Sequence, residues 1–264
     1  MKLSMMTYTM GRQGFGAEDF IKTAVDCKLD GIDWVTTHGR DAKDLRKMSD
    51  DAGLPVVCHT FILSKVFAGA QDWLDEAKKS IADAVTLGAP VVMIPTMSND
   101  QISRNEFRRQ WINALAEVAT LTNDAGIVLT VENFPGMHSA FVTAADFFEA
   151  QKEIPQLRLT FDNGNAASGE APVESFNQCR EFVVHAHFKD WYIQSTPAEG
   201  YRQMLDGGYY RPALIGEGNV NTAGCWKAMK ESGYSGYVNI EYEGNEVSAD
   251  KAIARAAAFL RNIA

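Results

Sequence analysis

Short apolar runs and amphipathic stretches alternate from one end of this chain to the other. Eight runs read as strands: Leu3–Tyr8, Gly31–Thr36, Pro55–Thr60, Pro90–Pro95, Ile127–Glu132, Leu157–Asp162, Phe182–Phe188 and Tyr237–Tyr242. Runs such as APVVMIP and GIVLTV are continuously apolar, without polar alternation. That pattern marks strands covered on both faces, and helices between them imply a parallel sheet. Between the runs the period lengthens to that of a helix with one buried side. In DWLDEAKKSIADAVTLG, Leu74, Ala77, Ile81 and Val85 are expected on one stripe. In NEFRRQWINALAEVATLTNDAG, Phe107, Trp111, Leu115 and Val118 form another. Helical stretches end at Gly53, Gly88, Gly126 and Gly233, each just before the next apolar run. Glycine there relieves the left-handed residue that closes a helix.

Eight strand–helix units in 264 residues predict an α/β fold, a single (β/α)8 TIM barrel domain over residues 1–264. An open doubly wound sheet is the competing arrangement. It loses ground because no GxGxxG follows the first strand; GRQGFG has the wrong spacing. Two connections exceed ordinary barrel loops: Phe61 to about Gln71, and a long loop at about 191–220. The second carries Trp191, Tyr192, Tyr201, Tyr209 and Tyr210. Long ordered loops in compact domains tend to be functional. This one is expected to cover a substrate or to form a subunit contact in a homo-oligomer.

Four polar residues sit at the ends of separate apolar runs: Glu132 in VLTVEN, Asp162 in LRLTFDN, His187 in FVVHAHFKD and Glu241 in YVNIEY. A charge ending a buried strand is costly unless something compensates it. Three carboxylates and an imidazole at one end of a barrel form a plausible donor set for one divalent metal ion. Such an O₃N set suits Mn²⁺ or Mg²⁺ first and admits Zn²⁺ or Co²⁺. The formal net charge of -9 argues against a nucleic-acid partner, which needs a basic footprint. The four cysteines form no CxxC pair, and Cys58 in VVCHT reads as a small core hydrophobe. No run approaches a membrane span, and the segment MKLSMMTYTMGRQGFG is too short and polar for a signal peptide. Cytoplasm is the expected location.

With VEN at 131–133, the Asp162 strand end, HFKD at 187–190, GEGNVN at 216–221 and the strand NIEYEG, the chain resembles the xylose-isomerase-like barrel superfamily over essentially its whole length. That superfamily holds sugar isomerases and epimerases, inosose dehydratases, hydroxypyruvate isomerases and the endonuclease IV branch. The resemblance places its metal residues on Glu132, Asp162, His187 and Glu241. It makes Glu132 and Glu241 the catalytic pair that moves a proton next to a carbonyl. One departure stands out: the family often has histidine three residues after the aspartate, and Asn165 occupies that position. Asparagine there can still touch a sugar hydroxyl.

Other residues near these motifs are candidates for substrate contact: His59 ending VVCHT, His138 in ENFPGMH, Lys189, Trp191 and Glu217 in GEGN. His185 shares a strand face with His187, because side chains alternate with period 2. It is expected behind the metal ligands, with Asp190 orienting either the following loop or a histidine. The leading expectation is a metal-dependent isomerase or epimerase of a small sugar or keto-sugar, working through a metal-stabilised enediolate. A dehydratase or lyase acting on a keto-sugar, keto-glycoside or inosose begins with the same proton and is the first alternative. A non-catalytic carbohydrate-binding or structural barrel subunit is the second. A DNA-repair endonuclease would need more ligands and a basic groove.

Overall fold

The computed structural model describes residues 1–68, 70 and 72–263. Seven barrel strands come first: β1 (Lys2–Met6), β2 (Gly31–Val35), β3 (Val56–Thr60), β4 (Val91–Ile94), β5 (Val128–Glu132), β6 (Arg158–Asp162) and β7 (Val183–Phe188). Three short strands follow, β8 (Asp190–Gln194), β9 (Arg202–Gln203) and β10 (Tyr209–Ala213), and then β11 (Tyr237–Ile240). Strands β1 to β7 and β11 pair in parallel and close into a barrel. β1 makes the closure, with Ser4 opposite Gly31 on one side and Leu3 opposite Val238 on the other. All eight strand runs read from the sequence are therefore barrel strands, and closure excludes the open sheet. Every residue of β2 and β3 is buried, as continuous apolar runs require.

Helices cover the barrel with the faces their periodicity implies. In the helix Arg104–Asp124, Phe107, Trp111, Leu115 and Val118 are all buried. Its start is fixed by a reciprocal cap between Ser103 and Glu106. Gly53, Gly88, Gly126 and Gly233 have φ of 64°, 67°, 69° and 80°, the left-handed closure expected of them. One stripe residue is corrected. In the helix Trp73–Leu87, Val85 is exposed, and Ala77, Ile81, Ala84 and Leu87 are buried. At about 100° per residue, Val85 lies roughly 80° around the axis from Ala77, and Ala84 only about 20°. Successive steps of four drift off the face. Among the described residues, no helix is long and apolar enough to cross a membrane.

The connection after β3 holds a short helix, Ser64–Phe67. Gly69 and Gln71, near its expected end, lie outside the described residues. The stretch read as a loop at 191–220 is corrected: it folds as a three-stranded antiparallel sheet in the order β8-β10-β9. Tyr210 pairs with Ile193 on one side and Arg202 on the other. Its base is clasped by Asp190, whose carboxylate accepts from the backbone N–H groups of Trp191, Gly216, Gly218 and Val220 at 2.8–3.1 Å. A Cβ at Gly218 would sit 2.2 Å from Asp190 Oδ1, so the close backbone approach requires glycine. Of the two expectations for Asp190, orienting the loop is what its hydrogen bonds do.

Candidate metal centre

Strand ends bring the four expected ligands together at the C-terminal mouth of the barrel, where such folds build their sites. Glu132 and Asp162 end β5 and β6, His187 is next to last in β7, and Glu241 follows β11. One ligand atom from each lies within 4.8 Å of the others, and all four residues are buried. Asn133 sets the alignment of β5 and β6 beyond their ladder. Its amide accepts from the Asp162 backbone N–H and donates to the Asp162 carbonyl, both at 2.8 Å. Asp162 Oδ1 then accepts from the Asn165 backbone N–H at 2.6 Å, capping the short helix Asn163–Ala166. Its Oδ2 points away from that cap without a hydrogen-bond partner among the described residues.

His187 Nδ1 lies 2.8 Å from Glu132 Oε1 and 3.6 Å from Glu241 Oε2. Lys189 Nζ lies 2.9 Å from Glu241 Oε1, 2.7 Å from Glu243 Oε1 and 3.6 Å from Asp162 Oδ2. Burial raises the Asp162 and Glu132 carboxyls, against the pull of Lys189 on the first and His187 on the second. Burial would raise Glu241 too, but Lys189 and His187 outweigh it and hold that carboxyl below the usual range. Burial would lower His187, and Glu132, Asp33 and Glu241 reverse this and favour the imidazolium. The residues fit a hard divalent ion. Asp162 Oδ2 and Glu241 Oε2 are buried acceptors with no hydrogen-bond donor among the described residues, and a buried acceptor left open is costly.

Behind this layer lies a second polar cluster, and its carboxylate is a residue the sequence reading missed. Asp33, on β2, is fully buried, with Oδ2 3.8 Å from both His185 Nε2 and His187 Nε2. Thr60 Oγ1 and Asn239 Nδ2 donate to that same oxygen at 3.0 and 2.8 Å. Asn239 Nδ2 also lies 3.0 Å from His185 Nε2, and Ser4 Oγ donates to Asn239 Oδ1 at 2.6 Å. His185 thus sits beside Asp33, behind the candidate ligands. The signal for Asp33 was present: a lone carboxylate in the apolar run GIDWV.

A cavity of about 500 Å³ opens above the ligands, lined by Glu132, Glu241 and Glu243 at its polar end. Of the expected substrate contacts, His138 lines it and is exposed. Lys189 reaches its floor through Glu241 and Glu243. Asn165 is fully buried, and its side-chain amide has no hydrogen-bond partner among the described residues. Three expectations are not met. His59 sits beside Thr60, which lines the cavity, so period 2 turns its ring outward toward the helices. There its Nδ1 meets the Trp34 carbonyl at 2.8 Å. Trp191 is fully buried under β9 and β10, flanked by Tyr210 and Arg202, and presents no face to the cavity. Glu217 is exposed in a turn, 4.0 Å from Arg255 on the outer helix. The segment still reaches the cavity, through Arg202, Gln203 and Met204.

The profile of the xylose isomerase-like TIM barrel family matches residues 19–263. Among curated relatives, an uncharacterised protein of Methanocaldococcus jannaschii is 27% identical over 62% of this chain and 54% of its own. An inosose dehydratase of Lacticaseibacillus casei is 24% identical over 52% of this chain and 47% of its own. An inosose isomerase of Halalkalibacterium halodurans is 23% identical over 70% and 66%. The chain thus spans about half the length of the first two relatives. Solved structures share the fold: the IOLI protein with a bound zinc atom superposes with a TM-score of 0.82, at 17% identity over 100% of this chain and 98% of that one. The 3-keto-D-glucoside 4-epimerase of E. coli gives 0.78, at 14% identity over 99% of each chain.

Proposed function

Because the chain belongs to the xylose isomerase-like TIM barrel family, we propose that it is a divalent-metal-dependent isomerase or epimerase of a small sugar or keto-sugar. One observation carries this reading. Glu132 and Glu241 belong to the ligand cluster and also line the cavity, so two carboxylates can reach one substrate carbon. Mn²⁺ or Mg²⁺, and after them Zn²⁺ or Co²⁺, held by Glu132, Asp162, His187 and Glu241, would supply the positive charge that steadies a developing oxyanion.

The chain's own groups handle the proton. Their surroundings differ: Lys189 and His187 hold the Glu241 carboxyl below its ordinary range, and burial raises that of Glu132. One of the two glutamates takes the proton from the carbon beside the carbonyl, and the other delivers one to the neighbouring atom or the opposite face. Lys189 keeps Glu241 Oε1 fixed while this happens. His138 on the wall bonds a substrate hydroxyl.

A dehydratase or lyase is the second reading. It starts with the same proton and ends by expelling a neighbouring oxygen. His138 favours it, because an exposed imidazole on the cavity wall can protonate that leaving group. The Lacticaseibacillus casei relative is named for a dehydration.

The test is a panel of ketoses, inososes and 3-keto-sugars followed by proton NMR in D₂O with added Mn²⁺. Solvent deuterium in a recovered isomer supports isomerisation. Loss of water or of an aglycone supports the second reading. Binding without exchange in metal-loaded protein would leave a carbohydrate-binding barrel instead.

A further inference from the structure

The cavity's two ends differ in chemistry. Its floor is carboxylate. Its mouth is apolar to a degree that a free sugar does not call for. Seven large hydrophobic side chains are exposed among the described residues, and four of them, Tyr8, Ile62, Met97 and Met137, line this one cavity. Phe134 and Met93 continue the apolar wall inward. Exposed apolar surface gathered in one place marks a binding site, and methionine adapts to aromatic and irregular apolar groups.

This mouth is built rather than left over. Met97 holds a left-handed backbone, φ 55°, a conformation that a residue with a side chain adopts only at a cost. The two lips are tied together. Ser98 and Ser139 form an antiparallel bridge, and the Asn99 backbone N–H donates to the His138 carbonyl at 3.3 Å. Met97 and Met137 therefore line the cavity from two loops held to each other.

Charge narrows the ligand further. The lining carries Glu132, Glu241 and Glu243 against one cationic side chain, Arg202. Arg202 pairs with Glu243 at 3.4 Å, and the nearby Lys189 is held by Glu241 and Glu243. A phosphate would find no uncommitted cation on this lining.

We infer that the cavity takes an uncharged keto-sugar bearing an apolar, aromatic-sized substituent, with the sugar at the carboxylate floor and the substituent between Met97 and Met137. The inference rests on the enolising function proposed above.

The test titrates metal-loaded protein with the phenyl and methyl glycosides of one 3-keto-hexose and with hexose 6-phosphate. Affinity is read by calorimetry and α-proton exchange by NMR in D₂O. The phenyl glycoside should bind about tenfold or more tightly than the methyl glycoside, and the phosphate not measurably. In the double variant M97Q/M137Q the phenyl-to-methyl ratio should fall below about threefold. Equal affinities in the wild type, or no binding of the phenyl glycoside, overturn the inference; exchange persisting on the methyl glycoside would then leave the enolising function standing. A phenyl preference without exchange on either glycoside supports the ligand class and removes the function instead. If the variant shifts oligomeric mass in light scattering and the wild type shows no phenyl preference, a second copy covers the mouth and the inference fails.

Discussion

Two buried polar clusters share His187, and they are built from the same residue types. The outer one holds Glu132, Asp162, His187 and Glu241; the inner one holds Asp33, His185 and His187. In each, the candidate ligand atoms lie within 4.8 Å of one another, so distance does not tell them apart. Hydrogen bonding and access do. In the inner cluster Ser4, Thr60 and Asn239 connect Asp33 and His185 into a chain, with Asp33 Oδ1 and the shared His187 Nε2 left open among the described residues. In the outer cluster one hydrogen bond, His187 to Glu132, joins the four candidate ligands, and Asp162 Oδ2 and Glu241 Oε2 are left open among the described residues. Glu132 and Glu241 line the cavity, and Asp33 and His185 are buried behind it. The outer cluster is therefore the one that a molecule entering the mouth can meet.

The largest effects should come from the outer cluster. E132Q and E241Q should keep the fold and lose turnover by about 10²- to 10⁴-fold, the usual contribution of a positioned acid or base. Exchange of the substrate's α-proton at saturating metal measures it, and wild-type exchange in either variant would assign the proton to another group. Metal affinity comes next. H187A and D162A should lower it by more than about 100-fold, and D33N, which only steadies His187, by about 10- to 100-fold. Elemental analysis after dialysis against a graded chelator ranks the three. Full retention in both H187A and D162A would dissolve the outer site.

Stability against pH sharpens the contrast because the two aspartates should slope in opposite directions in chelated protein. Burial raises Asp162, so it binds its proton more tightly folded than unfolded. The stability this gives is present at low pH and is lost as pH climbs from about 4 through the raised native value. D162N should therefore be more stable than wild type at neutral pH and lose that advantage on acidification. Burial would also raise Asp33, but His185 and His187 hold it low. Its contribution is present above about 4 and disappears below, so D33N should be destabilised at neutral pH and less so in acid. Thermal melts from about pH 2 to 8 read both slopes, that of Asp33 below about pH 4 and that of Asp162 above it, and parallel slopes would erase the distinction. The smallest effect belongs to neither cluster. E217Q should leave turnover unchanged and move stability by no more than about 0.5 kcal/mol, as for other surface changes.

The barrel was legible because short, mainly apolar runs such as APVVMIP alternate with helical periods and four helices close on glycine. The outer ligands were legible because they sit where those runs end. Asp33 escaped the same logic only by position: it lies in the middle of GIDWV, and its partners come from strands distant in sequence. His59 misled for the converse reason. A polar residue near a strand end says nothing about which face it takes, and the inner face went to Thr60. The small sheet was hidden because Lys189 alone separates β8 from β7, so HFKDWYIQ runs on without a break, and β9 is only two residues long.

The clasp at Asp190 has a consequence for how such a chain can change over generations. One carboxylate grips the departure of the excursion at Trp191 and its return at Gly216, Gly218 and Val220. A second tie, from the Asn219 backbone N–H to the Trp191 carbonyl, closes the same neck. Further out the excursion is held by its own side chains and backbone, with the Tyr210 hydroxyl donating to the Ala167 carbonyl and the Asp206 backbone N–H to the Ser168 carbonyl. Its exposed tip, residues 195–200, is free of these ties. Length and composition can therefore drift at that tip while the strands carrying His187 and Glu241 stay where they are.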